Sequence, residues 1–140
     1  MGCMRTVSVG IIDRGGLVLA CQRKRDAVYP LKWEFPGGKM EDGETTAQAL
    51  ARELYEELGI EAVVGTEFHR QEWIYREGVT DPRRDGTFRV FYHLVPSFSG
   101  VPVNRAFHDI RWVTPRQLLT MDILEGNREV VQKLADQTRG

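Results

Sequence analysis

The chain has 140 residues, a length that predicts one domain, residues 1–140, able to bury a sizeable core. Apolar residues make up 41% of it and charged residues 28%, proportions that are ordinary for a globular protein and argue against a disordered chain. Lysine and arginine number 19 against 20 aspartates and glutamates. The resulting net charge of −1 argues against a nucleic-acid polymer or a membrane surface as the partner.

The first third of the chain predicts a β-hairpin followed by a loop. β-Branched and apolar residues at Thr6–Ile12 and Leu17–Arg23 indicate two strands, which the turn residues Asp13–Gly16 join. The polar segment Arg23–Leu31 predicts a loop. The apolar segment Trp33–Gly38 follows and ends in proline and two glycines, which predict a tight backbone turn.

One strong helix is predicted at Thr46–Leu58. Thr45 and Gln48 have the spacing of a capping box at its start, and Gly59 stands where a C-terminal glycine cap is expected. Apolar residues recur at helical spacing and form one face of this helix. That face consists of Ala47, Leu50, Ala51, Leu54 and Leu58.

The rest of the chain predicts four more strands and two more helices. A polar, turn-rich segment, Arg76–Gly86, lies between two of the strands and could form part of a substrate rim. This order of strands and helices predicts a mixed α/β domain in which the central helix packs on a sheet. The strands are Ile60–Val64, Glu67–Tyr75, Thr87–Val95 and Ile110–Val113, and the helices are Thr114–Leu119 and Asn127–Gln137.

Two features near the N-terminus bear on location. Met1–Thr6 fits the short pattern for N-myristoylation, which often arises by chance, and a lipid there would lie almost against the first strand. Cys3 and Cys21 are too few for a disulfide scaffold, so we expect two buried thiols in a reducing compartment. These features favour a cytoplasmic protein, and they leave a monomer and a homodimer both open.

The central helix carries an acidic face. Glu53, Glu56 and Glu57 lie three and four positions apart, which places their carboxylates on the same side of a helix. Like charges this close repel one another, and Mg²⁺ is a suitable counterion because it binds carboxylate oxygens and keeps waters that phosphates can replace. Arg52 is adjacent and could orient a glutamate. Taken alone, the triplet is more typical of a solvated acidic surface than of a metal site.

The segment before the helix favours the metal-binding interpretation. Pro36–Lys39 forms a tight turn of small residues, which allows backbone groups to approach a metal or a phosphate closely. Gly38 is followed after six positions by Glu44 and after a further eight by Arg52. A glycine loop that leads into an acidic helix face is a plausible site for Mg²⁺ and phosphate.

Residues 38–60 resemble the Nudix box, G-x5-E-x7-R-E-U-x-E-E-x-G-U, in which U is a bulky aliphatic residue. The resemblance implies a Nudix fold, an α/β/α sandwich with a central mixed sheet, the Nudix helix on one side and the C-terminal helix on the other. It also implies hydrolysis of a nucleoside diphosphate linked to another group, with Mg²⁺ or Mn²⁺ as cofactor. Every defined position is filled, by Gly38, Glu44, Arg52, Glu53, Leu54, Glu56, Glu57, Gly59 and Ile60.

The same resemblance assigns roles to the residues of the box. Arg52 would orient Glu53, and Glu44 would support the junction between loop and helix. The implied metal would neutralise the charged pyrophosphate and activate water, so that positioning and electrostatics provide most of the catalysis. The implied metal ligands are Glu53, Glu56, Glu57 and the carbonyl of Gly37 or Gly38.

The segment Trp33–Lys39 resembles the MutT-like branch of this family, which cuts nucleoside triphosphates to the monophosphate and pyrophosphate. The leading predicted substrate is 8-oxo-dGTP or a related deoxynucleoside triphosphate. The alternatives are (d)CTP, a broad range of nucleoside triphosphates or another nucleoside diphosphate derivative. A nucleotide-sensing regulator without turnover is a further alternative, against which the complete set of glutamates argues.

Four residues are predicted to bind the substrate. Phe35 could stack on the base or simply lie in the core. Asn127 could read a purine edge, because a carboxamide offers both a donor and an acceptor, or it could cap the last helix. Arg23 would reach the phosphates or the sugar, unless it belongs to a solvated loop, and Lys39 completes the set.

One position departs from the MutT-like pattern. Members of that branch often place another glutamate before the strand Ile110–Val113, as a metal ligand or a base, and here Ala106 stands at that place. His108 and Asp109 are close by, and either could substitute. Alternatively, Glu53 itself serves as the base.

Overall fold

The computed structural model describes residues 5–75 and 86–137 of the chain. The pattern at Met1–Thr6 lies mostly outside these residues, as do Cys3 and all of the predicted rim segment except Gly86. The described part of the chain forms nine strands, namely β1 (Arg5–Arg14), β2 (Leu17–Gln22), β3 (Trp33–Glu34), β4 (Gly37–Lys39), β5 (Glu61–Val63), β6 (Glu67–Ile74), β7 (Thr87–Val95), β8 (Ser97–Ser99) and β9 (Asp109–Val113). The helices are α1 (Thr46–Leu58), α2 (Pro115–Leu119) and α3 (Arg128–Gln137), with a 3₁₀ turn at Glu125–Asn127 before α3.

Strand β1 lies at the centre of a mixed seven-stranded sheet. The main strand order is β3-β2-β1-β7-β6, with β4 paired to β1 and β9 paired to β2. β1 and β7 run parallel over eight residue pairs, whereas the other ladders of this sheet are antiparallel. The predicted central mixed sheet is therefore confirmed.

Side chains of the central strands alternate between two cores. Ile11 and Ile12 are neighbours in β1 and are both fully buried, yet they pack in different clusters because successive residues of a strand face opposite sides of the sheet. One cluster includes Leu54 of α1, and the other includes Val131 of α3. The sheet thus lies between α1 and the C-terminal helices, as the predicted α/β/α sandwich requires.

The caps of α1 are those that the sequence predicts. The Thr45 side chain accepts a hydrogen bond from the Gln48 N–H, and the Gln48 side chain accepts one from the Thr45 N–H. Gly59 ends the helix with φ 69°, a left-handed conformation that glycine adopts without steric cost. These local contacts determine where the acidic face begins and ends.

Two features of the fold differ from the sequence interpretation. β8 pairs with β5 in a separate two-stranded sheet, although its serine-flanked sequence carries no strand signal. The Trp33–Gly38 segment forms two short strands, β3 and β4, which pair with β2 and β1 respectively.

Cys21 is buried with a free thiol, as expected. Within residues 5–75 and 86–137, no helix has the length and apolar character needed to cross a membrane.

Leu54→Ala is expected to destabilise the protein by about 2–5 kcal/mol, because it leaves a cavity where α1 packs on β1. Leu54 is fully buried, and a Cβ built on Gly10 of β1 would lie 3.4 Å from its Cδ1 atom. Denaturant unfolding measures the change. The neighbouring Tyr55→Ala is the matched control, since Tyr55 is 56% exposed and its loss should cost about 0.5 kcal/mol or less. Equal losses for the two variants would contradict the packing described here.

Candidate active site

The guanidinium of Arg52 connects the loop before α1 to the acidic face of the helix. Its Nε and Nη2 atoms donate to the two carboxylate oxygens of Glu44 at 2.7 and 3.0 Å. Its Nη1 atom donates to Glu53 Oε1 at 2.9 Å and to Glu56 Oε1 at 3.3 Å. Nη2 also donates to the Lys39 carbonyl, 3.1 Å away. The Arg52 side chain therefore holds three glutamates in place and joins them to the backbone at the end of β4.

These contacts change the protonation of Glu44. Hydrogen bonds from Arg52 lower the pKa of the Glu44 carboxyl, and a bond from the Glu41 N–H adds to the effect. Glu44 therefore stays ionised and holds Arg52 against the loop. This arrangement matches the support that the resemblance implies for Glu44.

Glu53 lies against the backbone of β4. A Cβ built on Gly38 would stand 2.6 Å from Glu53 Oε1, so only glycine at this position leaves room for the carboxylate. Burial raises the pKa of Glu53, whereas the hydrogen bond and the charge of Arg52 lower it. The carboxylate is thereby held beside a backbone segment that has no side chain of its own.

Glu57 is the most strongly perturbed carboxyl group of the helix. Its Oε1 atom accepts a hydrogen bond from the Gly37 N–H at 3.1 Å. Burial raises its pKa to about 9, and the charge of Glu53 contributes to the same shift. Gly37 has φ 154°, and a Cβ there would lie 2.8 Å from Val9 Cα, so the turn that presents this N–H requires glycine.

The donor atoms of this site suit a hard divalent cation. Glu53 and Glu57 place two carboxylates near the β4 backbone, and the raised pKa of Glu57 shows that its negative charge lacks full compensation. Carboxylate and carbonyl oxygens are the ligands that Mg²⁺ prefers. In residues 5–75 and 86–137 no three His, Cys, Asp or Glu side chains already surround a common point. In this structure the carboxylates bind Arg52 and the Gly37 N–H.

A cavity of about 360 Å³ opens beside β4, between the sheet and the loop that follows β2. Phe35 is nearly fully buried in the core cluster that includes Ile11, and it also lines the cavity. The structure therefore brings the four predicted substrate-binding residues to one cavity. They are Arg23, Phe35, Lys39 and Asn127.

Aromatic residues that were not predicted as site residues form much of the cavity wall. The rings of Tyr29 and Tyr75 meet edge-on with centroids 5.3 Å apart, and Phe88 meets Tyr75 at 6.0 Å. Apolar and aromatic surfaces of this kind suit the face of a planar base. The alternate positions of Trp73, in β6, and Tyr75, just after this strand, are the sequence signal that could have identified one side of this wall.

Arg23 is paired within the cavity wall. Its Nη1 atom lies 3.1 Å from Glu34 Oε1, and its Nε atom donates to the Val28 carbonyl at 2.7 Å. Burial raises the pKa of Glu34, whereas the charge of Arg23 lowers it. Arg23 is thus an ordered member of the wall rather than part of a solvated loop.

Asn127 does not act as a helix cap through its side chain. It lies in the 3₁₀ turn before α3, and its Oδ1 atom accepts a hydrogen bond from the Tyr92 hydroxyl at 2.6 Å. The side chain is only 7% exposed and borders the cavity. Among the residues that the structure describes, no N–H of α3 donates to this side chain, and the contact of Oδ1 is with Tyr92 instead.

The candidates for an additional base lie away from the cavity. Asp109 Oδ2 accepts a hydrogen bond from Arg111 Nε at 3.0 Å, and His108 is exposed with its N–H donating to the Gln22 carbonyl. Neither residue lines the cavity, and Ala106 offers no titratable group. Glu34 lies in the cavity wall itself, whereas Glu53 and Glu57 lie next to β4, whose Lys39 lines the cavity.

Comparison with known proteins agrees with this geometry. The NUDIX domain family matches residues 4–134. The chain is 38% identical to the CTP pyrophosphohydrolase of Escherichia coli (strain K12) over 120 residues, which cover 83% of this chain and 80% of that protein. It is 36% identical over 137 residues to the putative 8-oxo-dGTP diphosphatase 2 of Mycobacterium tuberculosis, covering 96% and 90%. The solution structure of the E. coli ORF135 protein superposes with a TM-score of 0.81 at 30% identity, covering 94% and 88%.

Proposed function

Because this chain belongs to the NUDIX domain family and is a pyrophosphohydrolase of nucleoside triphosphates, we propose that it uses Mg²⁺, or Mn²⁺ in its place, to cut 8-oxo-dGTP or a related deoxynucleoside triphosphate. The products are the nucleoside monophosphate and pyrophosphate. One observation carries the proposal. The carboxylates of Glu53 and Glu57 lie against Gly38 and Gly37 of β4, and the next residue of this strand, Lys39, lines an aromatic cavity.

Residues of this chain would bind the metal in one part of the site and the nucleotide in the other. Glu53, Glu56 and Glu57, with the carbonyl of Gly37 or Gly38, would hold the cation. When bound, Mg²⁺ supplies positive charge to the phosphate oxygens and favours deprotonation of the attacking water. Arg52 would keep Glu53 in place through the 2.9 Å hydrogen bond.

Hydrolysis breaks one P–O bond and forms another. Water adds to the phosphorus, the pyrophosphate leaves, and the proton of the water passes to a carboxylate oxygen, for which Glu53 is the proposed acceptor. Lys39 and Arg23 border the cavity and would bind the phosphates or the sugar. Phe35 would contact the base, and Asn127 would read its edge.

A second substrate, (d)CTP, is favoured by one observation. The relative from E. coli, which is 38% identical, is named for the hydrolysis of CTP. Cytosine and 8-oxoguanine are both planar and would both fit between aromatic walls, so the site chemistry alone allows either. A silent nucleotide sensor is less favoured, because the acids of the box are complete and ordered by Arg52.

Pyrophosphate release tests the proposal directly. The purified protein is assayed with 8-oxo-dGTP, dGTP, dCTP and CTP, each with Mg²⁺, with Mn²⁺ and with excess EDTA. We expect turnover that EDTA abolishes and that added Mg²⁺ restores, because the carboxylates repel the triphosphate unless a cation lies between them. Activity that persists in EDTA would contradict the metal assignment. A preference for dCTP or CTP would retain the chemistry and replace the purine substrate.

A further inference from the structure

A buried hydrogen bond joins β7 to the turn that carries Asn127. The Tyr92 side chain is 1% exposed, and its hydroxyl lies 2.6 Å from Asn127 Oδ1. The other hydrogen-bond partner of this hydroxyl is the Gly126 carbonyl oxygen, at 3.5 Å. Both neighbours are acceptors, so the tyrosine donates its proton and Asn127 receives it through oxygen. Burial raises the pKa of Tyr92 well above its usual value, which keeps the donor protonated.

The backbone of the same turn is held independently. The Gly126 N–H donates to the Tyr75 hydroxyl at 2.9 Å, and the Gly126 carbonyl accepts a hydrogen bond from Gln71 Nε2. A Cβ on Gly126 would overlap the Tyr75 hydroxyl and would lie 3.1 Å from Trp73 Cδ1. The position of Asn127 is thus set by the backbone. Rotation of its carboxamide, which would exchange oxygen and nitrogen, is opposed by the bond from Tyr92.

The nitrogen of the Asn127 carboxamide, Nδ2, takes no part in the hydrogen bond with Tyr92. Among residues 5–75 and 86–137, none accepts a hydrogen bond from Asn127 Nδ2, although the structure leaves no fully buried side-chain nitrogen or oxygen unpartnered there. Nδ2 is therefore accessible to solvent, and Asn127 borders the cavity. Its N–H groups are the polar feature that this residue can offer to a bound base.

We infer that Tyr92 is a positioning residue that fixes the orientation of the Asn127 carboxamide, so that the base is read by an N–H donor. The site then selects a nucleobase that presents a hydrogen-bond acceptor to Asn127. Cytosine does so with N3 or O2, and a 6-oxopurine with O6. This inference rests on the proposed function, because it concerns the selectivity of the same cavity.

Matched pairs of nucleotides test the orientation of the carboxamide. dCTP and dUTP differ by an exchange of donor and acceptor at the N3 edge, and dITP and dATP differ in the same way at the N1 edge. We expect the wild type to prefer one member of at least one pair by about tenfold or more in kcat/KM, since one mismatched buried hydrogen bond has about that effect. The absence of a preference in both pairs would overturn the inference.

Tyr92→Phe removes the hydroxyl while keeping the ring. In this variant the carboxamide can rotate, so we expect the wild-type preference to fall to about threefold or less. The loss should come from a higher KM for the preferred nucleotide, with kcat changed by about twofold at most, because the variant alters base binding and leaves the glutamates unchanged. Tyr55→Phe, on the exposed surface of α1, is the control and should keep the wild-type ratio. A ratio in Tyr92→Phe within about twofold of wild type would overturn the inference.

Asn127→Asp provides an independent test that does not depend on the packing of Tyr92. Its carboxylate still accepts from the tyrosine hydroxyl but offers the base only acceptors. The preference within the discriminated pair should therefore invert, and an unchanged preference would overturn the inference. Thermal unfolding shows whether each variant is folded.

Different results would contradict the proposed function and the inferred role of Tyr92. If the wild type hydrolyses neither these four nucleotides nor 8-oxo-dGTP, dGTP and CTP, the proposed function is contradicted. Calorimetric binding of the four monophosphates to the same proteins then decides the orientation of Asn127 by the same ratios. If the wild type turns over nucleotides but the ratios do not respond to the variants, only the role of Tyr92 fails.

Discussion

Glu53→Gln is expected to lower kcat by about 100-fold or more while the protein stays folded. Glu53 lies against Gly38 and receives a hydrogen bond from Arg52, so its carboxylate is fixed where a cation and a triphosphate would meet. Glutamine has the same shape and can still accept from Arg52, but it has neither the negative charge nor the basic oxygen. Pyrophosphate release at saturating Mg²⁺ and nucleotide measures the loss.

Two controls make the Glu53 result specific. Glu61→Gln removes an exposed carboxylate from β5, away from the cavity, and should keep wild-type activity. Circular dichroism and thermal unfolding should show a folded Glu53→Gln protein. Activity above about a tenth of wild type in this variant would contradict the assigned role, because loss of a group that binds the metal or takes the proton has a larger effect.

Glu57 is expected to make the free energy of unfolding depend strongly on pH, which is the second large effect. The pKa of Glu57 is raised to about 9 in the folded, metal-free protein, whereas an unfolded glutamate titrates near its ordinary value of 4.5. Between these values the folded state retains a proton that the unfolded state has lost. Stability therefore falls as pH rises through this window, with a slope that approaches about 1.4 kcal/mol per pH unit for one proton.

Urea unfolding in EDTA, between pH 5 and 9, measures this dependence. Glu57→Gln should remove most of the slope, whereas Glu61→Gln should keep it, because Glu61 is exposed. Mg²⁺ competes with the proton for the Glu57 oxygens, so it should stabilise the wild type most strongly near pH 8–9. It should stabilise Glu57→Gln much less, and hydrolysis by this variant should fall about 100-fold. Identical slopes in wild type and Glu57→Gln would show that Glu57 is not the titrating group.

Arg52 explains why these two glutamates behave differently. Its Nη1 atom binds Glu53 directly, and the charge of Arg52 opposes the effect of burial on that carboxyl group. Glu57 lies one further turn along the helix, and among the described residues the Gly37 N–H is the donor that it receives, which is a weaker compensation for burial. The Glu53→Gln substitution should accordingly lower the pKa of Glu57, since the charge of Glu53 is part of the cause of its shift.

Helix α1 and its acidic face could be predicted from the sequence by itself. Thr45, Gln48 and Gly59 determine the ends of the helix through contacts that span only a few residues. Glu53 and Glu57 lie on one face because a helical turn has about 3.6 residues. The apolar, β-branched runs near the N-terminus are similarly local signals, and they predicted strands β1 and β2 correctly. Local geometry repeats along any regular helix or strand, so a pattern of residues is enough to reveal it.

The cavity and its contacts were decided only by the tertiary structure. Tyr92 and Asn127 are 35 positions apart, and their contact requires β7 to lie next to β1 beneath the turn before α3. The parallel pairing of β1 with β7 and the short strand β8 have no signature in their own residues. Asp109 looked suitable as a base but pairs with Arg111 outside the cavity. Such pairings depend on which distant segments pack together, and the free energy of that packing is shared among all of them, so no single segment encodes it.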